Sequence, residues 1–250
     1  MSYKPLLLRA LVAGLMAGLL VAIYVFAVIE PTIDRAVAAE HAAEHDHGPA
    51  AKEMFSRTTQ KGGGAAASII YGVIVGAIFG TVYAAVRHRL SLASEVARVA
   101  WLAAVGFGAV ALVPAIKYPA NPPGVGDPNT IGQRTTQYLA LLALSIVLAV
   151  VLTHLSGWLR QRVAPSAHGA LLVVATVAAY ATLLAITPGS PDTIGRGVSA
   201  QLLWDFRVRS FGGLALLWLG LGTGFGWLLE RHSERTLEAT PSPELAGTRA

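Results

Sequence analysis

The chain has 250 residues, of which 54% are hydrophobic and only 13% charged, with a formal net charge of +5. Soluble domains carry about 25% charged residues, and a water-soluble chain of this size needs more polar surface than this one has to cover a core. An ordinary soluble enzyme is thereby excluded, and a mean hydropathy of +0.57 excludes disorder. Cysteine is absent, which removes disulfides, thiolate metal sites, iron–sulfur clusters and thiol nucleophiles. The basic balance reads as loops beside a lipid bilayer and its anionic headgroups, with no nucleic-acid partner.

A helix that crosses about 30 Å of hydrocarbon needs about 20 apolar residues. Six stretches meet or approach that length, at about 6–29, 65–86, 96–116, 136–155, 169–187 and 211–229. The expected fold is an all-α polytopic membrane protein, a single domain of six transmembrane helices over residues 1–230. A His-rich and Gly-rich outer loop is expected at 40–64 and a polar cytoplasmic tail at 231–250. The first stretch follows Lys4 and Arg9 as a signal peptide would. Its apolar run exceeds the usual 7–15 residues, and it ends in Glu30-Pro31 instead of a small-residue cleavage site.

Six spans place both termini on one side. The basic residues divide 10 against 9 between the two sides, so the raw tally does not orient the chain. Arg87, Arg89, Arg98, Arg160, Arg162, Arg231 and Arg235, however, lie in short loops or beside helix ends, where the positive-inside rule acts. Both termini are accordingly expected in the cytoplasm, with the chain in the cell inner membrane.

The outward loops share a pattern. Glu30-Pro31-Thr32-Ile33-Asp34-Arg35, Asp127-Pro128-Asn129-Thr130-Ile131-Gly132-Gln133-Arg134 and Pro191-Asp192-Thr193-Ile194-Gly195-Arg196 each set an acid beside proline, then Thr-Ile, then arginine. The recurrence suits a pseudo-repeat of three helical hairpins; six-residue similarities also arise by chance. Small residues recur four apart at Gly14 and Gly18 and at Gly72, Gly76 and Gly80. That spacing lets helix backbones approach closely in lipid.

Metal chemistry concentrates in the first outer loop. His41 and His45 are one helical turn apart, with Glu44 and His47 alongside. Imidazole with carboxylate suits Co²⁺, Ni²⁺, Zn²⁺ or Cu²⁺, and the spacing is not that of an HExxH protease. The same residues also read as a solvated linker running into Gly62, Gly63 and Gly64. As a capture site, the tract loses affinity below about pH 6, because imidazole protonates near pKa 6.5. Glu30, at the end of the first span, is either a pathway ligand or an interface residue.

Further candidates line the mouth of the bundle. Lys117-Tyr118-Pro119-Ala120-Asn121-Pro122-Pro123 is extended and poorly helical, and reads as a lid or as a stiff connector. Trp204 and Phe206 suit an aromatic interface belt, and Asp205 and Arg207 an interface ion pair. Asp127, Asp192 and Asp205 are expected to converge with Glu30, their repulsion relieved by Arg134, Arg207 and other nearby arginines or by a cation. His154 ends the fourth span as a proton relay or an anchor. His88, His168 and His232 read as loop residues.

The run Lys117-Tyr-Pro-Ala-Asn-Pro-Pro-Gly-Val-Gly-Asp-Pro-Asn-Thr-Ile131 resembles the signature loop of the CbtA family. Glu30-Pro31, Arg134-Thr-Thr-Gln-Tyr138, Pro191-Asp192 and Trp204-Asp-Phe-Arg207 before a Gly-rich last helix extend that resemblance along most of the chain. It implies a probable cobalt-transporter membrane subunit linked to cobalamin synthesis. It also implies a small single-span partner of CbtB type with a His-rich end. The His41–His47 tract is not part of that motif.

No cofactor is expected to be bound permanently; Co²⁺ or a related divalent cation is cargo. No Walker A motif is present, so the chain does not hydrolyse ATP by that route. The spans lack the paired carboxylates or His–carboxylate sets that enzyme chemistry uses. Two alternatives stand beside cobalt uptake. One is an accessory protein docking another transporter or a metal donor. The other is a transporter of a different cation such as nickel, since these ligands bind Ni²⁺ and Cu²⁺ more tightly than Co²⁺.

Overall fold

A computed structural model describes residues 2–44, 55–191 and 199–238. Helices α1 (Tyr3–Tyr24) and α2 (Glu30–Glu44) are joined by a π turn, Val25–Ile29. α3 (Arg57–Val86) ends in a short 3₁₀ turn. α4 (Glu95–Gly106), a π turn at Phe107–Leu112 and α5 (Val113–Lys117) form the third span. α6 (Ile131–Arg160), α7 (Pro165–Ile186) and α8 (Ala200–Glu238) complete the bundle. Six helices are long and apolar enough to cross a membrane, and no strand occurs among the described residues.

The first helix does not stop at Glu30-Pro31. Proline lacks an N–H and its ring crowds the carbonyl four residues back. Here the helix absorbs that defect in the wider π turn just before it. The third span repeats the device, with Phe107–Leu112 preceding Pro114. The expected loop at 40–64 is correspondingly shorter. α2 runs to Glu44, and α3 begins at Arg57, not at Ala65, so Gly62, Gly63 and Gly64 are helical. Ser56 starts α3 by accepting the Thr59 N–H. At the other end α8 continues through the expected start of the tail at 231, and His232 is helical, as is His168 in α7.

The bundle is not three successive hairpins. α1 packs on α3 and α8, and α4 packs chiefly on α8. α6 and α7 pack on each other and meet the rest at the second half of the third span, Phe107–Lys117. The reason lies in which faces are small or aromatic. Leu6, Ala10, Ala13, Gly14, Ala17 and Gly18 form a buried stripe on α1. A Cβ added at Gly72 would lie 2.6 Å from the Gly14 carbonyl oxygen and from the Gly18 Cα. Gly80 faces the Ala10 methyl in the same way. Beside this seam, Phe79 and Tyr83 meet Phe225 edge-on at centroid distances of 5.9 and 5.3 Å. A second, smaller core of Val113, Leu141 and Leu183 ties α6 and α7 to α5.

Candidate functional site at the charged end of the bundle

The C-terminal ends of the first, third and fifth spans and the N-terminal ends of the others gather polar side chains at one end of the bundle. Glu30 follows the π turn of the first span and is only 6% exposed. A carboxylate buried at this depth is costly unless it is paired. Arg57, in the first turn of α3, supplies the partner: its Nη2 lies 2.7 Å from Glu30 Oε2 and 2.7 Å from Asp34 Oδ1. Lys61, one turn on, donates to Asp34 Oδ2 at 2.8 Å. The early start of α3 delivers both cations to the two acids. These two basic residues were not singled out from the sequence; the signal was their i,i+4 spacing opposite Glu30 and Asp34 at the same spacing.

Thr32, fully buried, forms the next layer. Arg209 Nη1 donates to Thr32 Oγ1 at 2.6 Å and to the Val28 carbonyl at 3.1 Å. The Val28 carbonyl belongs to the π turn. Tyr24 returns the contact by donating to the Arg209 carbonyl at 3.2 Å. Arg35 reaches Asp205 at 3.1 Å, and Gln201 donates to the same carboxylate at 2.7 Å. The expected Asp205–Arg207 pair is therefore not made. Two residues apart on a helix, those side chains leave on different faces, and Arg207 instead donates to Asn121 Oδ1 at 2.9 Å. Phe206 is buried in the bundle and does not join the exposed Trp204 in an interface belt.

The proline-rich segment after α5 is folded back and fastened. Lys117 Nζ donates to the Leu184 carbonyl at 2.7 Å, satisfying a carbonyl in the last turn of α7. Tyr118 donates to the Pro188 carbonyl at 2.8 Å. Burial pushes its hydroxyl above the usual phenol range, so it stays a donor. Pro122 is fully buried, and Gly124 and Gly126 take the positive φ values of 75° and 119° that turn the chain. Asp127 caps the short 3₁₀ turn Pro128–Thr130 that leads into α6, its Oδ1 accepting the Asn129 N–H at 2.8 Å. Arg134 approaches the Asp127 carbonyl at 3.4 Å.

The expected convergence of acids is thus not what the described residues present. Glu30 and Asp205 are each held by a different arginine, and Asp127 caps its own turn. No group of three or more His, Asp or Glu residues among the described residues is arranged to hold a metal ion. His41 and Glu44 lie on α2; His45, His47 and Asp192 lie outside the described residues. The acid–proline pattern also differs locally, since Glu30 sits within a continuous helix while Asp127 starts one. His154 faces outward on α6, with Nδ1 2.8 Å from the Val150 carbonyl of its own turn.

Six apolar spans closed at one end by a fixed layer of ion pairs define a multi-pass α-helical membrane protein. Its family can be stated as well. The family model described as "Probable cobalt transporter subunit (CbtA)" matches residues 3–230, and the chain belongs to that family. Neither a curated protein nor a solved structure matches the chain.

Proposed function

We propose that this subunit carries Co²⁺ into the cell across the inner membrane, in support of cobalamin synthesis. The observation that carries the reading is the family match to residues 3–230, which takes in the six spans. In this reading both termini are cytoplasmic, and the end that holds Glu30 faces outward. The metal first meets His41, Glu44, His45 and His47, then Glu30 and Asp34 toward the start of α2. A cation that binds those carboxylates displaces Arg57 and Lys61, which couples entry to rearrangement of the first two spans. In this reading Asp127 and Asp205 stand at the outward mouth of that path. A small single-span membrane subunit with a His-rich end, of CbtB type, completes the transporter.

The membrane potential supplies the drive without ATP. It is worth about 2.3 kcal/mol per charge per 100 mV, hence about 4.6 kcal/mol for a divalent cation. That sustains roughly a 2000-fold gradient at 1.4 kcal/mol per decade. The test is labelled-cobalt uptake into vesicles that contain this chain alone or with its single-span partner, with nickel as competitor. Potential-driven cobalt accumulation supports the reading. No accumulation in either vesicle type leaves an accessory role, and preferential nickel uptake assigns a different cargo.

A further inference from the structure

Two clefts merge beneath the proline-rich segment. One, of about 610 Å³, is lined by Tyr118, Asn121, Arg134, Thr135, Tyr138 and Arg207 among others. The other, of about 540 Å³, runs on between α5 and α8 along Leu112, Ile116, Val208, Phe211 and Leu214. They share Tyr118, Pro119, Tyr138 and Arg207, so they form one groove with a cationic head and an apolar arm. No carboxylate is among the described residues that line either part. Arg207 leans on the neutral Asn121 amide, and its Nε is buried without a hydrogen-bond partner among the described residues. Two guanidinium groups in a partly desolvated cleft repel a divalent cation and attract an anion.

The groove opens beside Tyr118 and Pro119, just past the end of the third span at Lys117, and span ends lie near lipid headgroups. Trp204 is exposed beside it, as interfacial aromatics are. We propose that the groove binds an anionic phospholipid, with its phosphodiester between Arg134 and Arg207 and one acyl chain along α5 and α8. Free phosphate would satisfy the arginines alone; the continuous apolar arm is what selects a lipid. α6 supplies Arg134 and Tyr138 and α8 supplies Arg207, yet these helices have little direct packing. The lipid therefore fills a joint between the α6–α7 pair and the rest of the bundle.

Native mass spectrometry of the full chain in neutral detergent tests this, with phosphatidylglycerol and phosphatidylcholine of matched acyl chains added equally. Phosphatidylglycerol is expected to be retained about tenfold more, the size of one good charge-assisted phosphate contact. R134Q/R207Q should abolish that preference, and R231Q at the opposite end should keep it. V208W, at a half-exposed position on the apolar arm, should lower retention with both arginines intact, which keeps the proposal testable if the double variant does not fold. Equal retention of the two lipids by the wild type overturns the proposal. So does full displacement by millimolar inorganic phosphate, which would assign the groove to the free anion, or unchanged retention in V208W.

Discussion

Arg57 Nη2 stands 2.7 Å from Glu30 Oε2, and this contact fastens the start of the second span to the residue that follows the π turn of the first. Glu30 is almost fully buried while Arg57 is a quarter exposed, so the acid depends on the arginine more than the reverse. Asp34 has Lys61 as a second cation; no other basic partner of Glu30 is found among the described residues.

Removing Arg57 alone should therefore cost more than removing the pair. R57A leaves a buried carboxylate without its counter-charge, a loss of about 2–4 kcal/mol when discounted for the partial exposure of the arginine. The double variant E30Q/R57Q should lose less than the sum of its single variants, with a coupling above about 1 kcal/mol in a double-mutant cycle. Thermal unfolding in detergent checks both. Additive losses would mean that the pair is not energetically coupled.

The glycine seam gives a contrast within one helix. G72L forces a side chain into the backbone of α1 and should cost about 3 kcal/mol or more, or separate the two helices. G63A lies in the same helix with nothing within 4 Å of its new methyl. It should be neutral or stabilise by up to about 1 kcal/mol through helix propensity. Destabilisation by G63A would contradict a helical start at Arg57.

The His tract is tested by replacing His41, His45 and His47 together with alanine. As a capture site it raises the local metal concentration, so uptake should fall at low external cobalt and recover at high cobalt. In the unaltered chain the same low-metal advantage should fade as pH falls through about 6.5, where imidazole gains a proton and loses its ligand lone pair. Uptake that matches wild type at every concentration would make the segment a linker.

Orientation is open to labelling, because the native chain contains no cysteine. Single cysteines at Asp46 and Asn129 should react with an impermeant maleimide only from outside, and one at Arg231 only after the cytoplasmic face is exposed. Reaction of the D46C variant from the cytoplasmic side would overturn the proposed orientation.

Apolar run length decided the membrane class and the number of spans, since hydrocarbon thickness converts directly into residues. Glycine spacing nominated Gly14, Gly18, Gly72, Gly76 and Gly80, each of which can be read from a local pattern. Helix ends were read less well, because hydropathy marks where apolar residues stop and not where backbone hydrogen bonds do. Pro31 looks like a terminator in sequence, yet a π turn carries the helix past it, and Ser56 starts α3 within a stretch too polar to be counted as a span. Partner choice was decided by tertiary structure alone. Glu30 is separated from Arg57 by 27 residues, Arg35 from Asp205 by 170, and Asn121 from Arg207 by 86. Matched i,i+4 spacing marks Arg57 with Lys61 and Glu30 with Asp34 as compatible pairs, but that they meet follows from which helix faces are small enough to pack together and from the depth at which each charge is then buried.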